Sequence, residues 1–145
     1  DFENLNSEKN YDKASTYNLV NLLRVMFTLE LEKKLREKKL ETIAVSCHPG
    51  VAKTNLTRYL PRFLKKGFLL NFVFSTFFMT AFEGALPLVM AATSINVNGG
   101  DFVGIDSKRQ MKGDPKITQP NDLVFDDNLR IKLWDQSQEI TDLIF

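Results

Sequence analysis

The sequence predicts an α/β fold, and two observations predict it. A long stretch with helical spacing of apolar residues is followed at once by a short apolar run that ends in His-Pro-Gly, and together they form half of a βαβ unit. A second apolar run, suited to a buried helix, leads into another short strand, and the last residues again have helical spacing. The 145 residues match the size of one modest domain, so we predict a single domain over residues 1–145.

The composition excludes several classes of function. Lys and Arg total 19 against 18 acidic residues, so no basic excess indicates a nucleic-acid partner. Cys47 is the single cysteine and His48 the single histidine, which excludes an internal disulfide and a Cys/His metal cluster of the usual kind. The first residues lack both the basic start and the apolar stretch of a secretory signal, and an unpaired thiol fits a reducing compartment. We therefore expect a cytoplasmic protein.

The first predicted helix covers residues 14–38. This stretch contains no Gly or Pro, and its large apolar residues recur at three- and four-residue spacing. Residues 1–13 are polar and are predicted to form a loop, with Ser15 or Thr16 as the N-cap of the helix and Asp12 as a competing cap. Residues 30–39 carry both signs of charge, which suits a solvated helix end that projects from the core.

The first predicted strand covers residues 41–47, a mostly apolar run that we expect to be buried on both faces. Residues 54–66 alternate apolar and basic groups around Pro61, which favours a short amphipathic helix or a lid.

Residues 68–92 are the most apolar stretch and long enough to span a membrane. Polar residues interrupt it, however, and Glu83 at mid-bilayer would cost about 3 kcal/mol. We therefore predict a buried helix over residues 80–94, with peripheral membrane contact left open.

The remaining residues are predicted to contain one strand and one helix. Residues 98–105 combine a Gly-Gly turn with a short strand. Residues 106–125 are polar, contain Pro115 and Pro120, and are predicted to form an extended surface loop. Asp126 or Asp127 is expected to cap the last helix.

Three places stand out as candidates for chemistry from the residues alone. Tyr17 lies at the start of the first predicted helix, where the positive end of the helix dipole favours a phenolate; the alternative is an amphipathic core residue. His48-Pro49-Gly50 follows the predicted strand, where ligands bind in open α/β sheets; the alternative is a purely structural turn. Gly99-Gly100 is too short for a dinucleotide fingerprint and is interpreted as a tight turn.

These places occur in the order and spacing of a known family. The matching segments are residues 1–6 (Asp-Phe-Glu-Asn-Leu-Asn) ahead of Tyr17, residues 26–31 (Met-Phe-Thr-Leu-Glu-Leu), residues 48–54 (His-Pro-Gly-Val-Ala-Lys-Thr), residues 83–85, 91–94 and 99–102, and residues 133–137 (Leu-Trp-Asp-Gln-Ser). The joint pattern resembles the C-terminal half of the short-chain dehydrogenase/reductase family, in the branch of retinol dehydrogenases and protochlorophyllide reductases. The resemblance implies the C-terminal half of a Rossmann-like doubly wound parallel sheet, with the N-terminal cofactor-binding half absent.

The resemblance also implies an activity and a set of site residues. The family interconverts a carbonyl and an alcohol with NAD(P), and the matched tyrosine, Tyr17, would be the general acid/base. Asn21 stands at the position of the lysine that hydrogen-bonds the nicotinamide ribose. The other implied cofactor contacts are the backbone of Pro49, Gly50 and Val51 and the hydroxyl of Thr54. Either NADP or NAD is compatible with these residues, and no metal is expected.

Asn21 departs from the family pattern, and the departure has two explanations. An amide can hydrogen-bond a ribose hydroxyl but carries no charge, so Tyr17 would stay a weak base. Asn21 is either genuine or the product of a compensated frameshift. Relatives in this branch have Ser-Lys-Leu-Ala at the positions of residues 20–23, and codons for these four residues, read one nucleotide later, begin Val-Asn-Leu, the residues found at 20–22. No Gly-x-x-x-Gly-x-Gly motif occurs in the sequence, so this chain alone is expected to be inactive.

Three functions therefore stay open. The first is an oxidoreductase, whose substrate we expect to be an apolar carbonyl or alcohol because residues 55–80 are rich in Leu and Phe. The second is a catalytically dead homologue that serves as a binding or interaction module. The third is an unrelated membrane-associated protein with residues 68–92 inserted. A homo-oligomer, or pairing with a missing N-terminal half, is expected because the first helix and strand would otherwise expose apolar faces.

Overall fold

The computed structural model describes residues 2–52, 79–107 and 111–145, which form two compact units. The first unit consists of Asp1–Ser46 and Gln119–Phe145, and the second of Cys47–Thr118. The predictions for residues 54–66 and for residues 68–78 lie outside the described residues. That the two units belong to one partial domain over residues 1–145 stays a prediction.

Helices and short strands alternate along the described residues. In chain order they are α1 (Lys13–Glu37), β1 (Ser46–Cys47), α2 (Ala81–Thr93), β2 (Phe102–Ile105), β3 (Pro115–Thr118) and α3 (Asp127–Thr141). Short 3-10 helices at Phe2–Asn4 and Asp122–Phe125 precede α1 and α3. The predicted α/β class is confirmed.

The helix α1 has the extent that the sequence predicts, but its N-cap differs. Asp12 is the cap, because its carboxylate accepts hydrogen bonds from the Ser15 backbone N–H at 2.8 Å and from the Ser15 hydroxyl at 2.7 Å. These bonds lower the pKa of Asp12. The preference for Ser15 or Thr16 as the cap was wrong, since both lie inside the first turn, where Ser15 helps to hold the Asp12 carboxylate.

The first unit has a small core between α1 and α3. Met26, Val124 and Leu133 form its centre, and Trp134 stacks on Phe27 with ring centroids 5.0 Å apart. Asp126 caps α3 by accepting the Leu129 N–H at 3.0 Å, as predicted. The expectation of a solvated helix end after residue 30 was wrong for two residues, since Glu30 and Leu35 are buried on the face of α1 that meets the core.

The strand predicted for residues 41–47 is shorter and more exposed than expected. Only Ser46 and Cys47 form a strand, Ala44 is the one buried residue of the run, and Ile43 is 44% exposed. The Ala44 N–H is donated to the Glu32 carboxylate at 2.7 Å, so a side chain takes the place of a sheet partner. Within the described residues β1 lies at the edge of a sheet with the order β1-β2-β3, which explains why it is not buried on both faces.

The second unit contains a strand that the sequence does not predict. Residues 106–125 were expected to be a loop, but β3 pairs antiparallel with β2, placing Phe102 opposite Thr118 and Ile105 opposite Pro115. The prediction failed because β3 has only four residues and starts with a proline, which is tolerated at the first position of an edge strand. Val103 and Ile105 on β2 are buried.

The helix α2 has the predicted bounds but only one buried face. Thr80 and Glu83 form a capping box: the Thr80 hydroxyl accepts the Glu83 N–H, and the Glu83 carboxylate accepts the Thr80 N–H. Gly84 and Pro87 are buried, whereas Phe82 is 77% exposed, so the prediction of a buried helix holds for one side only. Among the residues described here, no helix combines the length and apolar character needed to cross a bilayer.

Candidate active site

Tyr17 lies one turn into α1 and is 67% exposed. The alternative interpretation as a core residue does not hold within the first unit, because the ring has most of its surface in contact with solvent. Its position near the N-terminal end of α1 agrees with the sequence prediction.

Asn21 lies on the same face of α1 as Tyr17, because residues four apart in a helix are neighbours. Both line one shallow groove of about 610 Å³, whose other residues are Tyr11, Asp12, Lys13, Ala14, Thr16, Val20 and Arg24. The side-chain amide oxygen of Asn21, Oδ1, accepts a hydrogen bond from the Arg24 guanidinium at 3.5 Å. This bond orients the amide so that its NH₂ group is the donor left to meet a ligand hydroxyl.

The second candidate place is the turn formed by His48, Pro49, Gly50 and Val51 in the second unit. Gly50 has a φ of +67°, a backbone conformation that residues other than glycine rarely adopt. A Cβ at this position would lie 2.9 Å from both the Met111 carbonyl oxygen and the Met79 sulfur. The Pro-Gly turn is therefore closely enclosed, and only glycine fits at its centre.

Hydrogen bonds fix the backbone of this turn. The His48 N–H is donated to the Val103 carbonyl at 2.8 Å, and the Val51 N–H to the Met111 carbonyl at 2.9 Å. The Val51 carbonyl in turn accepts the Met79 N–H at 2.9 Å. Within the part of the chain that the structure describes, the N–H groups of His48, Gly50 and Val51 are thus already donated, so the turn offers a ligand carbonyl acceptors, those of Pro49 and Gly50 among them.

The helix α2 begins directly beside the turn. A Cβ on Gly84 would lie 2.7 Å from the Ala52 Cβ and 3.4 Å from the Pro49 carbonyl oxygen. The absence of a side chain at Gly84 therefore lets the first turn of α2 pack against residues 49–52. Gly84 was noticed in the sequence only as part of a motif, and its packing role depends on a contact that the sequence does not display.

His48 is a site residue that sequence reasoning located without giving it a role. Its Nδ1 atom accepts the Gly50 N–H at 3.1 Å, so the imidazole closes the turn from inside. Burial lowers the pKa of His48 below its ordinary value of 6.5. The sequence did contain one indication of this role: His48, a side chain that can accept a hydrogen bond, lies two residues before Gly50. In Asx-type turns the side-chain acceptor and the N–H donor have this same spacing.

The structure brings the predicted site residues together in two groups. Tyr17 and Asn21 share the groove of the first unit, and Pro49, Gly50 and Val51 share the turn of the second unit. Thr54 lies outside the described residues. That the two groups face one nicotinamide pocket stays a prediction.

Curated proteins match the chain along nearly its whole length. Over 145 residues it is 33% identical to retinol dehydrogenase 14 of Mus musculus, a match that covers 99% of this chain and 40% of that protein. Retinol dehydrogenase 14 of Homo sapiens is 33% identical over 147 residues, with the same coverage of 99% and 40%. Human retinol dehydrogenase 12 is 40% identical over 84 residues, which are 58% of this chain and 25% of that protein. No family model matches the chain.

A solved structure has the same fold. The crystal structure of an uncharacterized protein from Mycobacterium paratuberculosis aligns with 100% of this chain and 46% of its own length, at a TM-score of 0.72 and 21% identity. At this identity the likeness shows the fold alone, and it confirms the predicted partial α/β architecture. The chain spans about 40% of the length of the first two curated relatives.

Proposed function

This chain corresponds to the C-terminal part of the short-chain dehydrogenases/reductases, and we propose that the protein interconverts a carbonyl and an alcohol in a nicotinamide-dependent reaction. The observation that supports this most is the groove shared by Tyr17 and Asn21. It combines an exposed phenol with an amide donor one helical turn away, at the positive end of a helix of 25 residues.

In this proposal Tyr17 moves the proton of the reaction. Reduction of a carbonyl requires one proton at the oxygen, and the Tyr17 O–H donates it; oxidation of the alcohol returns the proton to the phenolate oxygen. The exposure of the ring leaves room for a substrate oxygen to come within hydrogen-bond distance of the phenol. The groove therefore supplies general acid/base chemistry from a single side chain.

The residues present fit one end of a nicotinamide cofactor. NAD or NADP, when bound, supplies or accepts the hydride. Asn21 would donate its amide N–H to a ribose hydroxyl while Arg24 holds the amide oxygen. In the turn, the Pro49 and Gly50 carbonyls would accept hydrogen bonds from the carboxamide, because the N–H groups of Gly50 and Val51 are already donated to His48 and Met111. The Thr54 hydroxyl is proposed to contact the phosphate side.

We propose an apolar carbonyl or alcohol as the substrate. Residues 55–80 follow the turn and contain many Leu and Phe residues, a composition suited to contact an apolar molecule. The proposal is tested with this chain combined with the N-terminal half with which it is expected to pair, by measuring NADH or NADPH oxidation with a series of aldehydes of increasing chain length. Increasing kcat/KM with chain length supports it, and turnover of small polar carbonyls alone would refute it.

The proposal extends to the localisation and the assembly of the protein. We place the protein in the cytoplasm, with peripheral membrane contact, as a homo-oligomer or paired with an N-terminal half of the same family type. Carbonate extraction and sedimentation measure these two properties.

A second candidate function is a homologue without catalysis that binds a nicotinamide nucleotide or another protein. The observation that favours it is Asn21, which provides a hydrogen bond but no charge. NADH binding without any measurable turnover across the aldehyde series would support this second function over the first.

Replacing Asn21 with Lys is expected to raise kcat by about tenfold or more, which corresponds to about 1.4 kcal/mol of transition-state stabilisation. An ammonium group in the groove would favour the phenolate of Tyr17 and would still donate a hydrogen bond to the ribose. Asn18→Lys is the matched control, because Asn18 is exposed on α1 but does not line the groove. Equal rates for the two lysine variants would contradict the proposed role of position 21.

A further inference from the structure

We propose that His48 is a positioning residue: its neutral imidazole holds the Pro49–Gly50 turn in its closed conformation, and a proton on Nδ1 releases the turn. The effect on the cofactor rests on the function proposed above, whereas the effect on the turn does not. The consequence is a nicotinamide site whose affinity falls when His48 is protonated.

The direction of one hydrogen bond fixes the protonation state of His48. The Gly50 N–H donates to His48 Nδ1 at 3.1 Å, which requires a lone pair on that nitrogen and places the imidazole proton on Nε2. In the protonated imidazole both nitrogens are donors, so two N–H groups would face each other across the turn. The bond therefore exists only with neutral His48.

Hydrogen bonds and close contacts enclose the turn. The backbone on both sides of Gly50 is held by the His48 N–H to Val103 and by the Val51 N–H to Met111. Gly50 itself has a positive φ and has no room for a Cβ. The His48 side chain is the group that satisfies the Gly50 N–H, so losing it leaves this donor without its acceptor.

The charged groups around His48 also bear on its protonation state. The elements packed against the turn carry several titratable groups in the described residues: Cys47, Glu83, Asp101, Asp106, Lys112, Asp114 and Lys116. Burial is nevertheless the cause that lowers the pKa of His48, and Glu83 is held by its own capping box with Thr80. Burial disfavours the charged imidazole, which agrees with a neutral acceptor.

The sign of the pH effect follows from this lowered pKa. The stability that neutral His48 contributes is complete above 6.5, the ordinary pKa, and is lost as the pH falls through the lower pKa of the folded protein. We expect the turn to be closed at neutral pH and to loosen in mildly acidic solution.

His48→Asn and His48→Ala test the proposal as a pair. The Asn oxygen can occupy the position of Nδ1 and accept the Gly50 N–H as in an Asx turn, but it does not titrate. The Ala variant has no acceptor. The measurement is the chemical shift of the Gly50 amide proton from about pH 8 down to about pH 4, which extends below the range in which an unperturbed histidine titrates, because burial lowers the pKa of His48.

Three results are expected from the amide resonance. In the unmodified protein the Gly50 signal moves upfield on acidification, as a hydrogen bond is lost. In His48→Asn the signal stays at the hydrogen-bonded position at every pH, and in His48→Ala it stays upfield at every pH. A Gly50 signal that does not respond to pH in the unmodified protein, or that is the same in the Ala variant, would overturn the proposal.

NADH affinity separates this inference from the proposed function. If the turn positions the cofactor, the dissociation constant for NADH rises several-fold on acidification in the unmodified protein and is unchanged in His48→Asn. Identical pH profiles for these two proteins, with the Gly50 amide responding as expected, would overturn the positioning role. Failure of all three proteins to bind NADH would refute the proposed function, while the amide shifts would still decide whether His48 holds the turn.

Discussion

Replacing Tyr17 with Phe is expected to lower kcat for carbonyl reduction by about 10²- to 10⁴-fold, the usual contribution of a general acid/base. The substitution removes only the hydroxyl, and the exposed ring keeps its place in the groove. We expect NADH affinity to change little, because the proton transfer is lost while the ribose contact of Asn21 remains. Stopped-flow measurement of NADH oxidation with a saturating aldehyde gives kcat directly.

Tyr11→Phe is the matched control for this experiment. Tyr11 lines the same groove and is 66% exposed, but it lies before α1 and has no proposed role in the reaction. We expect Tyr11→Phe to retain nearly the full rate. Comparable rates for the two variants would show that the phenol of Tyr17 is not the proton donor.

Replacing Glu30 with Ala is expected to destabilise the first unit by about 3–5 kcal/mol, because it removes the buried carboxylate of an ion pair with Arg130. The Glu30 side chain is 1% exposed, and its carboxylate lies 3.6 Å from the Arg130 Nε and 3.6 Å from the Lys34 ammonium. Arg130 is 12% exposed and also donates to the Val124 carbonyl and to Asp127, so it joins α1 to the start of α3. Urea unfolding followed by the fluorescence of Trp134, the single tryptophan, reports on this unit.

Two further variants identify the cause of the loss. Lys34→Met removes the more exposed partner of the same carboxylate and is expected to cost less than about 1 kcal/mol. The double variant Glu30→Leu with Arg130→Met removes both buried charges and is expected to recover most of the stability, because a buried pair is often replaceable by apolar residues. A double variant as unstable as Glu30→Ala would show that packing around Glu30, rather than its charge, accounts for the effect.

The sequence predicts well those elements whose signal is local. α1 has no Gly or Pro over 25 residues, and α2 lies at the end of the most apolar stretch of the sequence, so both helices were predicted close to their observed bounds. β3 was missed because four residues that start with Pro115 give no alternating pattern, and its pairing with β2 is a contact between distant residues. The burial of Glu30 was missed for a related reason, since its partner Arg130 lies one hundred positions further along the chain.

The residues of the candidate site also fall into those that the sequence predicts and those whose role depends on contacts in the folded chain. Tyr17 was singled out from its place at the start of the helix, and Asn21 was assigned to the same site through the family resemblance; α1 then places both on one face, because residues four apart in a helix are neighbours. The turn at His48-Pro49-Gly50 was recognised from its residue types, whereas Val51 was assigned through the family resemblance. The role of His48 depends on the rotamer that points Nδ1 at the Gly50 N–H, and the fit of Gly84 against Ala52 depends on tertiary packing, so neither could be read from the residue types alone.

The central claim is that the groove of Tyr17 and the turn of Gly50 bind the same nicotinamide. NADH titrated into the isotopically labelled protein tests it, with the Tyr17 ring and the Gly50 amide followed by NMR. The account predicts that both signals shift along one binding curve with a single dissociation constant, and that nicotinamide mononucleotide alone shifts both. A response confined to one of the two, or two different dissociation constants, would contradict it.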